Sequence, residues 1–383
     1  MRILAVGGGS GGHVTPVVAV LRELKEKDEY ADIRFWCDYK FAPEARGIIG
    51  HFDKTVPVHT IVAGKLRRYH HLKFWQHFII PSVFWPNLRD TVLVVVGFIR
   101  SFFKLLMWRP DVVFTKGGFV CLPVGMAAKL LNIPLVIHDS DSHPGLTNRV
   151  LAKWATTIAT GAPLHNYPYP KEISHYIGVP IAKEFLPPTE EQRAGKKAEL
   201  GFDPKRPLVV ITGGGLGSRR INDAVAKRLS ELLGITSVML LSGTQQYDEL
   251  RATTPESDDR FQLHAFINQD MPGILGAADI VVARAGATTI LELASLARPT
   301  VLIPNGFLTG GHQLKNAAEY AKDGAIEVVN EDELDANPQL LVDTLTSLLV
   351  NKARLKEMST LFHSYAKPRA AGEMADLILD AVK

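Results

Sequence analysis

One pattern constrains this chain more than any other: a short apolar run breaks into a glycine-rich turn and resumes as apolar residues at helical spacing, in both halves of the sequence. Near the amino terminus, Ile3 to Val6 leads into Gly7-Gly8-Gly9-Ser10-Gly11-Gly12-His13, followed by Val17, Val20, Leu21 and Leu24 on one helical face. In the second half, Leu208 to Thr212 runs into Gly213-Gly214-Gly215-Leu216-Gly217-Ser218. Ala278 to Ala283 likewise runs into Arg284-Ala285-Gly286-Ala287-Thr288-Thr289 before Ile290, Leu293, Ala294 and Ala297. An apolar strand that ends in glycines and continues as a helix is the βα unit of a parallel sheet covered on both faces. Its recurrence predicts an α/β protein of two Rossmann-like domains, and 383 residues suffice for two cores.

The turns are where chemistry is expected, because ligands of open α/β sheets bind at the carboxyl ends of the strands. Glycines let a ligand approach the backbone, and the unpaired amides of a helix start favour an anion such as a phosphate. Glu292, one turn inside its helix, is placed to accept hydrogen bonds from the vicinal hydroxyls of a sugar; the plain alternative is a solvated glutamate at an ordinary turn. A further strand, Thr300 to Ile303, ends in a glycine-containing loop that closes on His312 and Gln313. Gly7, Gly9 and Gly12 also satisfy GxGxxG, with Asp38 after the next strand, so a nicotinamide-dependent oxidoreductase stays open at this point. His13 speaks for a substrate instead: it is a titratable group at a helix start, with a capping or surface histidine as its plain alternative.

The net charge of +3 conceals an asymmetry: residues 1–170 hold 20 Lys and Arg against 12 Asp and Glu, and the remainder 23 against 28. Different partners for the two halves follow. From Lys65 to Arg109, basic residues interleave with tryptophan and phenylalanine, the composition an anionic membrane surface attracts. Within it, Thr91 to Trp108 is interrupted by Arg100 and Lys104, so a core or interface-lying helix is expected rather than a spanning one, with Val92 to Val96 as core. Cys37 and Cys121 are the only cysteines, which implies no disulfide framework and fits a reducing compartment. The first residues read directly as a strand, with no export-signal pattern before it. The loop His138-Asp139-Ser140-Asp141-Ser142-His143 matches no metal-ligand spacing and is expected to be solvated.

Seven stretches together carry a resemblance. GGGSGGHVTP, PDVVFTKGGF, HDSDSHPGLTN, IGVPIA, GGGLGSRRIN, ARAGATTILELASLARPTVLIP and HQLKNA resemble, over nearly the whole chain, the motifs of the family-28 glycosyltransferases of the MurG family. The resemblance implies a GT-B fold, two Rossmann-like domains facing a cleft. Residues 1–178 would form an acceptor and membrane-associating domain, with helix 366–383 packed back on it, and residues 182–365 a UDP-sugar domain. It implies inverting transfer of N-acetylglucosamine from UDP-N-acetylglucosamine to the 4-hydroxyl of lipid-linked N-acetylmuramoyl-pentapeptide, in peptidoglycan synthesis. The donor is a substrate, and no cofactor or metal is required. His13 would be the base. Donor contacts would come from Gly11, Gly12, Asp141, Gly214, Gly215, Gly217 and Ser218, from the backbone of Phe266 and Ile267, and from Arg284, Ala287, Thr288, Thr289, Glu292, His312 and Gln313. Arg284 would either stiffen its loop or meet a phosphate.

Arg67, Arg68, Lys73, Phe74, Trp75 and Trp85 would meet an anionic membrane on its cytoplasmic face, peripherally, with a polyprenyl-diphosphate-linked acceptor and a cell-wall synthesis complex as partners and no nucleic acid. The chain departs from the family pattern at Asp139, Ser140 and Asp141, where Glu, Gln and Asn are usual. Val179 and Ala182 stand for Asn and Arg, and Gly215 and Leu216 for Ser and Gln. Asp141 accepts hydrogen bonds from sugar hydroxyls but donates none, which bears on sugar specificity. The alternatives are a lipid glycosyltransferase of the same fold acting on diacylglycerol, and a membrane-docked binding protein without turnover.

Overall fold

The computed structural model describes residues 1–8, 11–66, 79–215, 217–254, 259–267, 270–306 and 311–383, apart from the side chains of Gly11 and His13. Arg67, Arg68, Lys73, Phe74, Trp75 and Leu216 therefore lie outside the described residues.

The chain divides into two compact units, the first built from Met1–Ala182, Thr309–His312 and Lys367–Lys383 and the second from Lys183–Leu308 with Gln313–Ala366. The first holds a seven-stranded sheet of β1 (Arg2–Val6), β2 (Asp32–Cys37), β3 (Val58–Thr60), β4 (Val112–Thr115), β5 (Leu135–Asp139), β6 (Thr157–Thr160) and β7 (Ser174–Tyr176), in the order β3-β2-β1-β4-β5-β6-β7. Every pairing is parallel. Successive β1 side chains serve opposite faces. Ile3 and Ala5 pack with the helices Gly11–Lys27 and Ala42–Phe52 and with Met374, Ala375 and Ile378 of the final helix Ala370–Asp380. Leu4 and Val6 pack with Leu105, Trp108, Cys121 and Val124 of the helices Pro81–Trp108 and Cys121–Leu130.

The second unit repeats the plan with β8 (Leu208–Thr212), β9 (Ser237–Leu241), β10 (Phe261–His264), β11 (Ile280–Ala283), β12 (Thr300–Leu302) and β13 (Glu327–Val328). Their order is β10-β9-β8-β11-β12-β13, again all parallel. All residues of β8, β9 and β11 are buried, as continuous apolar strands sandwiched between helices require. In each sheet the strand order reverses once, between β1 and β4 and between β8 and β11. The glycine turns after these strands flank the two switch points.

Two expectations need correction. Val92 and Val95 are more than half exposed, while Val94 is buried, so the run 92–96 is not core throughout. Ala297 does not lie on the helix after β11: that helix ends at Ser295, and Ala297 takes a left-handed φ of 53° in the turn toward β12.

Candidate functional site

At the second switch point, the turn after β8 is held by backbone contacts that only glycine permits. A Cβ on Gly213 would stand 2.3 Å from the Ser218 nitrogen, and one on Gly217, at φ 76°, would stand 2.0 Å from the Ser242 carbonyl oxygen. The Gly217 amide donates to Gly214 O at 2.9 Å, and Ser218 caps the helix Arg219–Lys227 by accepting from the Ile221 amide at 3.4 Å. Gly215 faces open space, with the exposed ring of Phe266 as the nearest neighbour a Cβ would meet, at 3.9 Å. Ile267, half-buried, follows it at the end of β10. A helix start presenting amides beside an aromatic ring is a seat for a phosphate attached to a planar base.

Arg284, after β11, ties three loops together. Its guanidinium donates to Ser218 Oγ at 2.5 Å and to Ile303 O at 3.0 Å, and it forms an ion pair with Glu331, itself buried. These contacts are the ones a loop-stiffening role requires. Gly286 takes an extended conformation at the start of the helix Ala287–Ser295 with no side-chain cap, so Ala287, Thr288 and Thr289 form an uncapped first turn. Glu292 follows one turn later. It makes no ion pair or side-chain hydrogen bond among the described residues, and burial pushes its carboxyl up to about 7. His312 and Gln313 open the helix His312–Ala321; Gln313 Oε1 accepts from the Asn305 amide at 2.8 Å, and Asn316 Nδ2 donates to Ala285 O at 3.2 Å. The sequence reading missed Glu331 and Asn316, which fix these loops from a distance.

In the first unit, a Cβ on Gly8 would stand 2.7 Å from Asp38 Oδ2, so the buried Asp38 side chain closes the space under the turn after β1. Asp38 Oδ1 accepts from the Lys40 and Phe41 amides, both at 3.1 Å. A carboxylate used this way is not presented to a ribose, which argues against the dinucleotide reading. Gly12 and His13 lie in the first turn of the helix Gly11–Lys27.

The stretch His138 to His143 is solvated only in part: His138 and Asp139 belong to β5 and are buried, whereas Ser140, Asp141 and Ser142 are half-buried and His143 is exposed. Lys116, at the end of β4, is buried and donates to Ser140 Oγ. Ser140 Oγ is 3.0 Å from His138 Nδ1, and His138 Nε2 is 2.8 Å from Gly178 O. With the histidine neutral, a consistent assignment runs one way: ammonium to hydroxyl, hydroxyl to Nδ1, Nε2–H to the carbonyl. Burial and the Lys116 charge hold His138 down at about 3, and burial lowers Lys116 to about 8. Burial raises Asp139 to about 7 although Tyr169 donates to it at 2.6 Å. Asp141 is half-buried, and its carbonyl accepts from the Tyr167 hydroxyl at 2.6 Å. Lys116, Tyr169 and Asn148, whose Nδ2 donates to His138 O at 3.2 Å, were not singled out in the sequence, and His138 was weighed there only as part of a loop; the one local signal was the glycine pair after Lys116, at φ 91° and 89°. Among the described residues no group of three or more His, Cys, Asp or Glu side chains is placed to hold a metal ion.

The helix Pro81–Trp108 is the one described helix long and apolar enough to cross a membrane. Trp85, Leu88, Val92, Val95, Ile99, Phe103 and Leu106 form an exposed stripe along it, at spacings of three and four residues. Of the sequence candidates for membrane contact, only Trp85 lies among the described residues.

Comparison with known proteins gives the family and the fold. Residues 3–160 match the glycosyltransferase family 28 N-terminal domain and residues 208–374 the family 28 C-terminal domain. A Bacillus cereus (strain ATCC 10987) protein is 30% identical over 100% of this chain and 99% of its own length. It is named UDP-N-acetylglucosamine--N-acetylmuramyl-(pentapeptide) pyrophosphoryl-undecaprenol N-acetylglucosamine transferase 2. A Halalkalibacterium halodurans protein bearing the same name without the numeral is 32% identical over 100% of both chains. Among solved structures, MurG of Acinetobacter baumannii superposes with a TM-score of 0.72 at 22% identity over 99% of each chain. The calicheamicin glycosyltransferase CalG4 superposes with a TM-score of 0.66 at 15% identity, over 99% of this chain and 98% of its own. At such identities these two likenesses speak for the fold alone, which is GT-B.

Proposed function

This chain belongs to glycosyltransferase family 28, and from that premise we propose that it transfers N-acetylglucosamine from UDP-N-acetylglucosamine to the 4-hydroxyl of a polyprenyl-diphosphate-linked N-acetylmuramoyl-pentapeptide, with inversion. The observation that carries the donor half of this reading is the β8/β11 switch point. Two helix starts flank it, Arg284 locks their loops together, and Glu292, one turn inside the second helix, has no ion pair or side-chain hydrogen bond among the described residues.

In this reading the acceptor oxygen attacks the anomeric carbon as the bond from that carbon to the diphosphate oxygen breaks. His13 takes the hydroxyl proton, and UDP leaves. Negative charge developing on the diphosphate meets backbone amides of the 213–218 turn and of the 286–289 helix start, fixed in place before the reaction begins. Glu292, when ionised, accepts hydrogen bonds from donor hydroxyls. His312 and the amide group of Gln313 orient the donor, and the Phe266–Ile267 backbone holds the base. Residues 1–178 take the lipid-linked acceptor, and residues 182–365 the donor. The chain sits peripherally on the cytoplasmic face of the membrane, and the exposed stripe on Pro81–Trp108 supports that placement.

The test is transfer of labelled sugar to a short-chain polyprenyl-diphosphate N-acetylmuramoyl-pentapeptide. UDP-N-acetylglucosamine should serve well above UDP-glucose, and His13→Ala should lower kcat about 10²- to 10⁴-fold. Transfer to diacylglycerol but not to the muramoyl lipid would overturn the acceptor assignment.

A further inference from the structure

Away from both switch points, the carboxyl-terminal part of the Pro81–Trp108 helix and the β2–β3 edge of the first sheet border an open cavity of about 290 Å³. Its walls are Arg34, Trp36, His59, Lys104, Met107 and Trp108. Arg34 and Trp36 share a face of β2 because side chains two apart point the same way, and His59 pairs with Trp36 in register on β3. The Arg34 guanidinium lies 4.2 Å from the centroid of the Trp108 ring, and the Lys104 ammonium lies 5.5 Å from that of Trp36.

We propose that this cavity binds the phosphate of an anionic lipid head group. Two permanent cations and a histidine face it. A third cation, Arg2, holds the Trp108 carbonyl at 3.0 Å. Asp32, whose carboxylate accepts from Trp108 Nε1 at 3.1 Å and stays 3.9 Å from Arg34 Nε, and Asp111, whose carboxylate accepts from the Arg2 amide at 2.7 Å, stand against the three cations Arg34, Lys104 and Arg2, so the positive charge is incompletely balanced. Two donors in these walls, Arg34 Nε and Trp36 Nε1, are buried with no hydrogen-bond acceptor among the described residues. His59 is held below its ordinary value by burial and by the charges of Lys104 and Arg34, as a ring awaiting an anion would be.

The lipid source follows from the helix that supplies Lys104 and Met107. At 3.6 residues per turn, Arg89, Arg100 and Lys104 fall along one shoulder of the stripe that runs through Val92, Val95, Ile99 and Phe103. With that stripe in the acyl layer, the shoulder and the cavity beside it stand at the depth of the phosphates. This source rests on the membrane reading above; the cavity's affinity for phosphate does not.

The experiment uses the full chain and two readouts. The first is the titration of His59 by NMR with inorganic phosphate or with a soluble short-chain phosphatidylglycerol below its micelle concentration. The second is co-sedimentation with vesicles of phosphatidylcholine with or without phosphatidylglycerol. The short-chain lipid should raise the His59 pKa well beyond the effect of inorganic phosphate. Lys104→Met and Arg34→Met should each weaken binding to phosphatidylglycerol vesicles more than tenfold. Arg100→Met, a charge lost outside the cavity, should weaken it about fivefold, the general effect of one cation near an anionic surface. Melting temperatures of the variants identify any that fail to fold, and the His59 titration of the wild-type chain needs no variant.

Equal losses in all three variants, or an unmoved His59 with the short-chain lipid, would overturn the proposal. An equal response to inorganic phosphate would overturn the lipid assignment. If wild-type chain ignores all vesicles while the short-chain lipid still moves His59, the membrane reading fails and the cavity stands.

Discussion

Replacing Arg284 with methionine separates two roles that the sequence leaves open. Arg284 and Glu331 have side-chain exposures of 12% and 5%, and breaking a buried pair by removing one partner typically costs about 3–5 kcal/mol, because the other charge is left in a low-dielectric site. Arg220, whose Nη1 lies 3.8 Å from Glu331 Oε2, offsets part of that, so the low end, about 3 kcal/mol, is expected. Arg284→Met with Glu331→Gln should regain most of it.

Tryptophan fluorescence would not see the change, since all five tryptophans precede residue 155 in the sequence and none lies between Lys183 and Ala366. Hydrogen exchange of peptides covering β8 and β11 would, as an acceleration of roughly a hundredfold in their slowest amides. UDP affinity should fall by less than about tenfold, because the turn's amides hold the diphosphate and the arginine only positions them. Unchanged exchange together with lost UDP binding would refute this reasoning and place the guanidinium on the phosphate.

Glu292 gives a pH prediction. Its carboxyl is raised from 4.5 to about 7, so between those values the folded chain holds a proton that the unfolded chain has lost, and the second unit loses stability as pH rises through that window. Glu292→Gln should flatten this slope in urea titrations followed by hydrogen exchange, and should weaken UDP-N-acetylglucosamine binding at pH 8 more than at pH 6. Lys116 has the opposite slope: lowered from 10.5 to about 8, it makes the first unit gain stability as pH rises between those values. Lys116→Met should abolish that gain and leave stability at pH 7 equal or higher, read by tryptophan fluorescence, since a buried charge replaced by an apolar side chain is often neutral or stabilising. Val95→Glu with Phe103→Glu should reduce vesicle binding at least tenfold while moving the melting temperature by less than about 2 °C, because both side chains are exposed.

The strand ends and glycine turns were legible because their signal is local: an apolar run, then residues without a Cβ where backbone meets backbone. Gly213 and Gly217 are needed for contacts within the turn and with the neighbouring strand end, and the sequence marks both positions. The ties that fix the candidate site carry no such mark. Arg284 meets Glu331 across 47 positions and His138 meets Gly178 across 40, and no window of sequence contains both partners. Asp139 was read as a loop residue because its neighbours are polar. It is the last residue of β5, buried, and hydrogen-bonded by Tyr169, thirty positions on.

The Pro81–Trp108 helix shows why hydropathy alone selects the wrong face. Its buried residues are Val83, Asp90, Val94, Gly97, Ser101, Leu105 and Trp108, a face with three small or polar residues at its middle, Asp90, Gly97 and Ser101, while Val92, Val95, Ile99, Phe103 and Leu106 form an unbroken apolar row that points outward. Close approach sets this choice. A Cβ on Gly97 would stand 2.0 Å from Val62 O, and one on Gly64 would stand 1.9 Å from Asp90 O, so the helix can dock on its neighbours only through its narrow face. A water-soluble packing would instead bury the bulky face. Leaving it outward exposes apolar area to water, so the small residues that let the helix settle against its neighbours are also what leave the stripe available to the membrane contact proposed above.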